Sequence, residues 1–184
     1  ALMIMGMIYS AQGDRDKALE YYKKAISIDE KTGNKKGMST ILINLGNLYK
    51  QKGDYALALE SYNKSSELKK QLGDEYGVAS NFYNIGTLYQ EIEKNKEALA
   101  HYQKALPIFE KLKSTRDVLG CLNNIGVILM YEKNPKALAI FKKALQLSGE
   151  ANDPANSAIF TVNIGGYHFL NNNFDESLRY YEKA

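Results

Sequence analysis

The sequence repeats itself about every 40 residues, and this period constrains the fold more than any single side chain does. A glycine recurs at one place in the repeat, at Gly6, Gly46, Gly86, Gly126 and Gly165. A second pattern follows each glycine and reads KALEYYKKA at 17–25, LALESYNKS at 57–65 and EALAHYQKA at 97–105. A period of this length predicts a stack of helical hairpins, each packed on its neighbours, and not the single core of a globular enzyme.

Within each unit, apolar and small residues recur at helical spacing. Ala58, Leu59, Tyr62 and Ser65 lie at i, i+1, i+4 and i+7, which is one stripe of a helix. The repeated glycine lies in the first helix of its unit, where glycine costs about 1 kcal/mol relative to alanine. We therefore expect the missing side chain to make room for the second helix and for an aromatic ring, such as that of Tyr62.

Short polar segments predict where the helices end and begin. Gly53-Asp54 combines a glycine suited to a left-handed helix end with an aspartate suited to capping the next helix. In the fourth unit, Asn134-Pro135 predicts an asparagine cap and a proline at the first helical position. The predicted helix pairs are 1–12/14–31, 36–52/54–72, 75–92/95–112, 115–132/135–148 and 154–171/174–184.

Composition limits the classes of partner. The chain has 45% apolar and 24% charged residues, which is ordinary for a folded protein. Its net charge of +3 is too balanced to favour nucleic acid or an anionic membrane. The apolar run at 1–9 is far shorter than the roughly 20 residues that span a bilayer. Because this run also aligns with 41–49 and has no basic leader, it predicts a packed helix, and we expect no membrane insertion.

Chemistry-bearing residues are few. The single cysteine, Cys121, excludes an internal disulfide and cysteine-based zinc sites, and it favours a reducing, cytoplasmic location. No pattern brings Cys121 together with His101 or His168, and no phosphate-binding glycine loop or metal-spaced cluster is present. We therefore expect no enzymatic activity, no metal and no cofactor.

One unit carries a complete family motif. The second repeat supplies Leu45-Gly46, Tyr49, Gly53-Asp54, Ala58-Leu59 and Tyr62. These residues resemble the tetratricopeptide repeat (TPR), and the resemblance extends over essentially the whole chain. The unit of 40 residues is longer than the usual 34. The proline that normally closes the second helix is absent.

The resemblance implies an all-α fold, a right-handed α-α superhelix (solenoid) of about five TPR helical hairpins. It implies a single array over 1–184, with approximate repeats 1–34, 35–74, 75–114, 115–152 and 153–184. The sequence lacks an initiator methionine, and Ala184 corresponds to Ser65 inside a helix. We therefore expect the first and last hairpins to be truncated.

The resemblance also implies that the first helix of every unit lines a concave groove. There the sequence places a ladder of asparagines, most of them two residues before the repeated glycine. An asparagine amide both donates and accepts, so a row of amides can match the backbone of an extended peptide. The alternative is that each asparagine bonds to a neighbouring repeat and fixes the stacking. The predicted peptide-binding residues are Asn44, Asn47, Lys50, Tyr83, Asn84, Thr87, Gln90, Asn123, Asn124, Val127, Tyr131 and Asn163.

Two functions follow from this interpretation. The first is a protein-protein interaction scaffold that binds a peptide or a partner segment in the concave groove. The second is a regulatory or sensor segment of a larger signalling protein, attached to a kinase, a phosphatase or a transcription regulator. In both cases the expected partner is a protein or peptide and not nucleic acid. The oligomeric state stays open.

Overall fold

The protein is built from ten consecutive α-helices, which make about five hairpins, and it contains no strand. The structure is a computed structural model that describes residues 1–184. The chain divides into two compact units, unit 1 (Ala1–Glu93) and unit 2 (Lys94–Ala184). None of the helices combines the length and the apolar character needed to span a membrane.

Unit 1 holds the first five helices, and within the unit consecutive helices pack on one another. They are α1 (Leu2–Ala11), α2 (Arg15–Thr32), α3 (Lys35–Lys52), α4 (Tyr55–Gln71) and α5 (Glu75–Glu91). Unit 2 holds the other five, which also pack consecutively. They are α6 (Asn95–Lys111), α7 (Thr115–Tyr131), α8 (Lys136–Glu150), α9 (Pro154–Leu170) and α10 (Phe174–Tyr181).

The predicted helix limits are confirmed to within two residues, except that α10 ends at Tyr181. Left-handed glycines end several helices as expected, for example Gly53 with φ of 81°. In the fourth hairpin the helix begins at Lys136, one residue after the predicted start, and Pro135 already has helical backbone angles. The Asn134 side chain accepts a hydrogen bond from the Lys136 backbone N–H, as expected of a capping residue. The boundaries of the repeats as units of one array stay a prediction.

The repeated glycine lets the two helices of a hairpin approach closely, as the sequence predicts. A Cβ atom added to Gly46 would lie 2.5 Å from Cε1 of Tyr62 in the paired helix. At Gly6 the corresponding distance to Cε1 of Tyr22 is 2.6 Å. Both distances are shorter than any normal contact between carbon atoms. Only a residue without a side chain therefore permits this packing.

Apolar contacts between successive hairpins form the core of unit 1. The side chains of α2 pack against those of α3 in one cluster that comprises Ala18, Tyr22, Ala25, Ile41, Leu45 and Leu48. The same arrangement recurs one repeat later, where Ala58 and Tyr62 pack with Ile85 and Leu88. In unit 2 the equivalent positions of α8 and α9 are fully buried, including Phe141, Phe160 and Ile164.

Candidate peptide-binding site

A shallow cavity of about 310 Å³, open to solvent, is lined by residues of α1, α2 and α3 in unit 1. Its lining residues are Met7, Ser10, Ala11, Tyr22, Asn44, Asn47 and Gln51. Two of these, Asn44 and Asn47, belong to the predicted peptide-binding set. Every lining side chain is uncharged, so the cavity presents hydrogen-bonding groups and no ionic group of its own.

Asn47 is partly committed to a contact inside the protein. The Tyr62 hydroxyl donates a hydrogen bond of 2.6 Å to Oδ1 of Asn47. Burial, with a smaller contribution from the charge of Glu91, raises the pKa of Tyr62, so the hydroxyl stays protonated and keeps donating. The acceptor oxygen of Asn47 is therefore used internally, whereas its amide hydrogens remain available to a ligand.

Asn44 and Asn84 occupy equivalent positions one repeat apart, on α3 and α5. Both side chains are partly buried, and no hydrogen bond from the rest of the protein occupies either amide. The neighbouring Thr87 hydroxyl bonds to the backbone carbonyl of Asn84, at 2.8 Å, and not to its side chain. Each amide therefore keeps its full capacity to donate and to accept.

The predicted cation of the site is not free. Nζ of Lys50 lies 3.5 Å from Oε2 of Glu91, and this pair joins the ends of α3 and α5. The remaining predicted residues of α5, Tyr83 and Gln90, are partly buried. The predicted residues of unit 1 thus form a surface that is polar but close to neutral.

In unit 2 the asparagines bond to one another. Nδ2 of Asn163 on α9 donates to Oδ1 of Asn123 on α7 at 2.8 Å. Nδ2 of Asn123 in turn lies 3.3 Å from Oδ1 of Asn124. This bonding supports the stacking alternative for Asn123 and Asn163, and their contact with a peptide stays a prediction. Of the two predicted apolar residues, Val127 is partly buried and Tyr131 is 70% exposed.

The sequence interpretation missed one residue of the cavity in particular. Tyr22 occupies the position of Tyr62 one repeat earlier and is only 2% exposed, yet it lines the cavity. The available signal was a mismatch between repeats. Asn47 bonds to the Tyr62 hydroxyl in the second hairpin, but Met7 stands at the position of Asn47 in the first. Methionine offers no comparable partner to the hydroxyl of Tyr22.

The candidate reactive residues have separate surroundings. Cys121 is fully buried in α7, and this burial raises the pKa of its thiol to about 12. His168 stacks on Tyr180, with ring centres 5.7 Å apart. Nδ1 of His101 lies 2.8 Å from the carbonyl oxygen of Glu97. No group of three or more His, Cys, Asp or Glu side chains is placed to hold a metal ion.

Paired helices, a glycine that admits the opposing ring and a repeated core between hairpins define a helical-repeat protein. The family model of the tetratricopeptide repeat matches residues 1–71 and again 37–111. The chain therefore belongs to the tetratricopeptide repeat family, as its sequence motif predicted. Repeats of this family are in general protein-interaction modules without catalytic activity.

Solved structures confirm the predicted all-α repeat fold. BtubC from P. vanneervenii is 21% identical with a TM-score of 0.84, over 99% of this chain and 76% of that one. Aspartyl phosphate phosphatase F from Bacillus subtilis is 19% identical with a TM-score of 0.85, over 99% of this chain and 48% of that one. The third is a signal transduction ATPase with numerous domains and a tetratricopeptide repeat sensor, from Pyrococcus horikoshii. It is 17% identical with a TM-score of 0.82, over 99% of this chain and 28% of that one.

These identities establish similarity of fold only. The chain spans about half the length of the phosphatase and about a quarter of the length of the ATPase. No curated protein matches the chain in sequence.

Proposed function

We propose that this protein is an interaction scaffold that binds an extended polypeptide along the first helices of unit 1. The observation that carries the proposal is the pair of equivalent amides of Asn44 and Asn84, both partly buried and both without a hydrogen-bond partner in the protein. An amide that is partly shielded from water and has no partner in the protein can still bond to a ligand that approaches it. The backbone of an extended peptide offers the alternating donors and acceptors that two amides one repeat apart can use.

Electrostatics narrows the class of peptide. Lys50 is paired with Glu91, and the cavity that holds Asn44 has no charged lining residue. A strongly acidic or basic segment would lose hydration without gaining a counter-charge. The preferred ligand is therefore an uncharged polar segment, recognised through its backbone. Nucleic acid, which requires a basic surface, does not suit this site.

The second candidate function is that of a sensor or regulatory segment in a larger signalling protein. It is supported by the fold shared with a phosphatase and with an ATPase that has a tetratricopeptide repeat sensor, both much longer than this chain. In such a protein, peptide binding on the first helices would alter the activity of an attached domain. The two functions share one binding site and differ in what the site controls.

We further propose a cytoplasmic location and no cofactor. The one cysteine is a buried thiol, which suits a reducing compartment, although it does not require one. Binding through amides needs no metal or prosthetic group.

The test uses peptides selected from a random phage-displayed library against the intact chain. Their affinity is then measured by fluorescence polarisation for the parent and for the double variant Asn44→Ala with Asn84→Ala. Each lost hydrogen bond is worth about 0.5–1.5 kcal/mol net, so we expect the double variant to bind roughly tenfold more weakly.

The matched control removes two amides from exposed positions of second helices, through Asn63→Ala with Gln103→Ala. This variant should bind as the parent does. If the control loses binding and the Asn44/Asn84 variant keeps it, the peptide binds on the second helices and the proposed site is wrong. Circular dichroism of each variant separates a loss of binding from a loss of folding.

A further inference from the structure

The hydroxyl of Tyr22 lacks the asparagine partner that the equivalent hydroxyl of Tyr62 has in the second hairpin. In the second hairpin the Tyr62 hydroxyl bonds to Asn47, the residue after the repeated glycine. In the fourth hairpin the ring is Phe141, which has no hydroxyl, and the residue after the glycine is Val127. In each of those two hairpins the ring and the residue after the glycine therefore match in polarity. In the first hairpin Tyr22 stands with Met7, so the two residues do not match.

A nearly buried tyrosine normally finds a hydrogen-bond partner for its hydroxyl. Burial alone raises the pKa of Tyr22, with no hydrogen bond or charge contributing. Tyr22 and Met7 both line the 310 Å³ cavity of unit 1. The missing partner of the hydroxyl can therefore be supplied by a group that enters this cavity.

The other lining groups indicate what that group is. Asn44 and Gln51 each offer a donor and an acceptor, and Asn47 offers its amide hydrogens because Tyr62 uses its oxygen. Met7 and Ala11 provide apolar contact. The volume is at the lower limit for a small-molecule site, so the cavity suits one side chain rather than a whole drug-sized ligand.

We propose that this cavity is a specificity subsite for an uncharged carboxamide side chain, that of a glutamine in the bound polypeptide. The amide oxygen accepts from the Tyr22 hydroxyl and the Asn47 amide, and the amide N–H groups donate to the oxygens of Asn44 and Gln51. The side-chain methylenes contact Met7. This subsite rests on the proposed function, since the glutamine is carried by the peptide that Asn44 and Asn84 bind.

Charge distinguishes the glutamine side chain from that of glutamate, its closest analogue. A glutamate side chain has the same shape as glutamine but carries a negative charge. No cationic side chain lines the cavity, and the nearby Lys50 is paired with Glu91. A carboxylate that loses part of its hydration here gains no counter-charge in return, which disfavours it. The cavity therefore selects glutamine over glutamate.

The test titrates the intact chain with two blocked amino acids, N-acetylglutamine methylamide and N-acetylglutamate methylamide, at neutral pH. Binding is followed through the side-chain amide resonances of Asn44, Asn47 and Gln51 in ¹H–¹⁵N spectra. We expect saturable shifts with the glutamine probe, at a dissociation constant on the order of millimolar for so small a ligand. The glutamate probe should bind at least about tenfold more weakly.

Two variants test whether the glutamine side chain binds in the cavity. Tyr22→Phe keeps the ring and removes the hydroxyl, and it should weaken the glutamine probe about twofold to tenfold. Ala11→Trp fills the cavity from an exposed position and should abolish the shifts. Ala100 is also exposed, on α6. The variant Ala100→Trp is therefore the matched control and should leave the shifts unchanged.

Equal binding of the two probes would overturn the subsite, and so would unchanged affinity in Tyr22→Phe or shifts that survive Ala11→Trp. Those results would leave the proposed function standing if library peptides still require Asn44 and Asn84. Loss of that requirement would instead remove the proposed function, whatever the small probes do.

Discussion

Asn81 places a polar side chain where neighbouring repeats have apolar or weakly polar ones. It is fully buried in α5, and the residues 40 positions away on either side are Ile41 and Cys121. Nδ2 of Asn81 donates to Oγ of Ser65 at 2.9 Å, and Ser65 donates in turn to the carbonyl oxygen of Ser39 at 2.9 Å. Oδ1 of Asn81 has no partner. The interface between α4 and α5 thus contains a series of hydrogen bonds and one unsatisfied acceptor.

The contribution of these hydrogen bonds to the free energy of unfolding can be measured with a double-mutant cycle. Ser65→Ala alone should destabilise the protein by about 1–3 kcal/mol, because it leaves the amide hydrogens of Asn81 buried without an acceptor. Adding Asn81→Ile restores the apolar pair that the preceding repeat has at Ala25 and Ile41. We expect the double variant to regain the parent's stability in urea unfolding. A double variant clearly less stable than the parent would show that these hydrogen bonds stabilise the interface.

At the scale of the helical element, the spacing of the first, second and fourth hairpins depends on the glycine of the first helix. A Cβ atom on Gly126 of α7 would collide with the ring of Phe141 on α8. Gly149, also on α8, has no atom within 4 Å of its would-be Cβ. The two glycines therefore differ in packing although both lie in helices.

The same substitution should consequently have opposite effects at the two positions. Gly126→Ala should lower the free energy of unfolding by roughly 1–3 kcal/mol, because overpacking outweighs the gain in helix propensity. Gly149→Ala should raise it by up to about 1 kcal/mol, since propensity acts there alone. Urea unfolding followed by circular dichroism measures both. A stabilising Gly126→Ala would mean that α7 and α8 can separate without loss.

At the scale of the whole molecule, the stability of a repeat protein is a sum over units and their nearest neighbours. Such proteins open locally, with free energies that differ along the chain. Cys121 of unit 2 can report this opening. Its thiol is fully buried, and its pKa is raised to about 12 by burial and by the charges of Asp117 and Glu110. It can react with a thiol reagent only when α7 is exposed.

We therefore expect slow labelling of Cys121 in the native protein and complete labelling in urea. Gly126→Ala lies in the same helix and should accelerate native labelling about tenfold for every 1.4 kcal/mol of lost stability. Ser65→Ala lies in unit 1 and should accelerate it less, even at equal loss of stability. Equal acceleration by the two variants would show that the chain opens as a single cooperative body.

The sequence by itself determined the helices, their pairing and the contact between glycine and ring. The residue patterns behind these features recur in every unit, so several copies support the same prediction, as for Gly46 and Tyr62. Where no special residue marks a feature, the sequence was less informative. Lys113 and Lys133 adopt left-handed backbone, each with φ of 55°. At these two turns the packing of α6 on α7 and of α7 on α8 sets the backbone conformation, and no glycine marks the turn in the sequence.

Only the tertiary structure decided which asparagines are available to a ligand. The sequence presents Asn44, Asn47 and Asn123 as members of one ladder. In the folded protein Asn47 accepts from Tyr62 and Asn123 accepts from Asn163, whereas Asn44 is unbonded. The physical reason is that a helix period specifies the face on which an amide lies, but its hydrogen-bond partner comes from another helix. A single change in that helix or its neighbour leaves a polar group bonded in one repeat and free in the next.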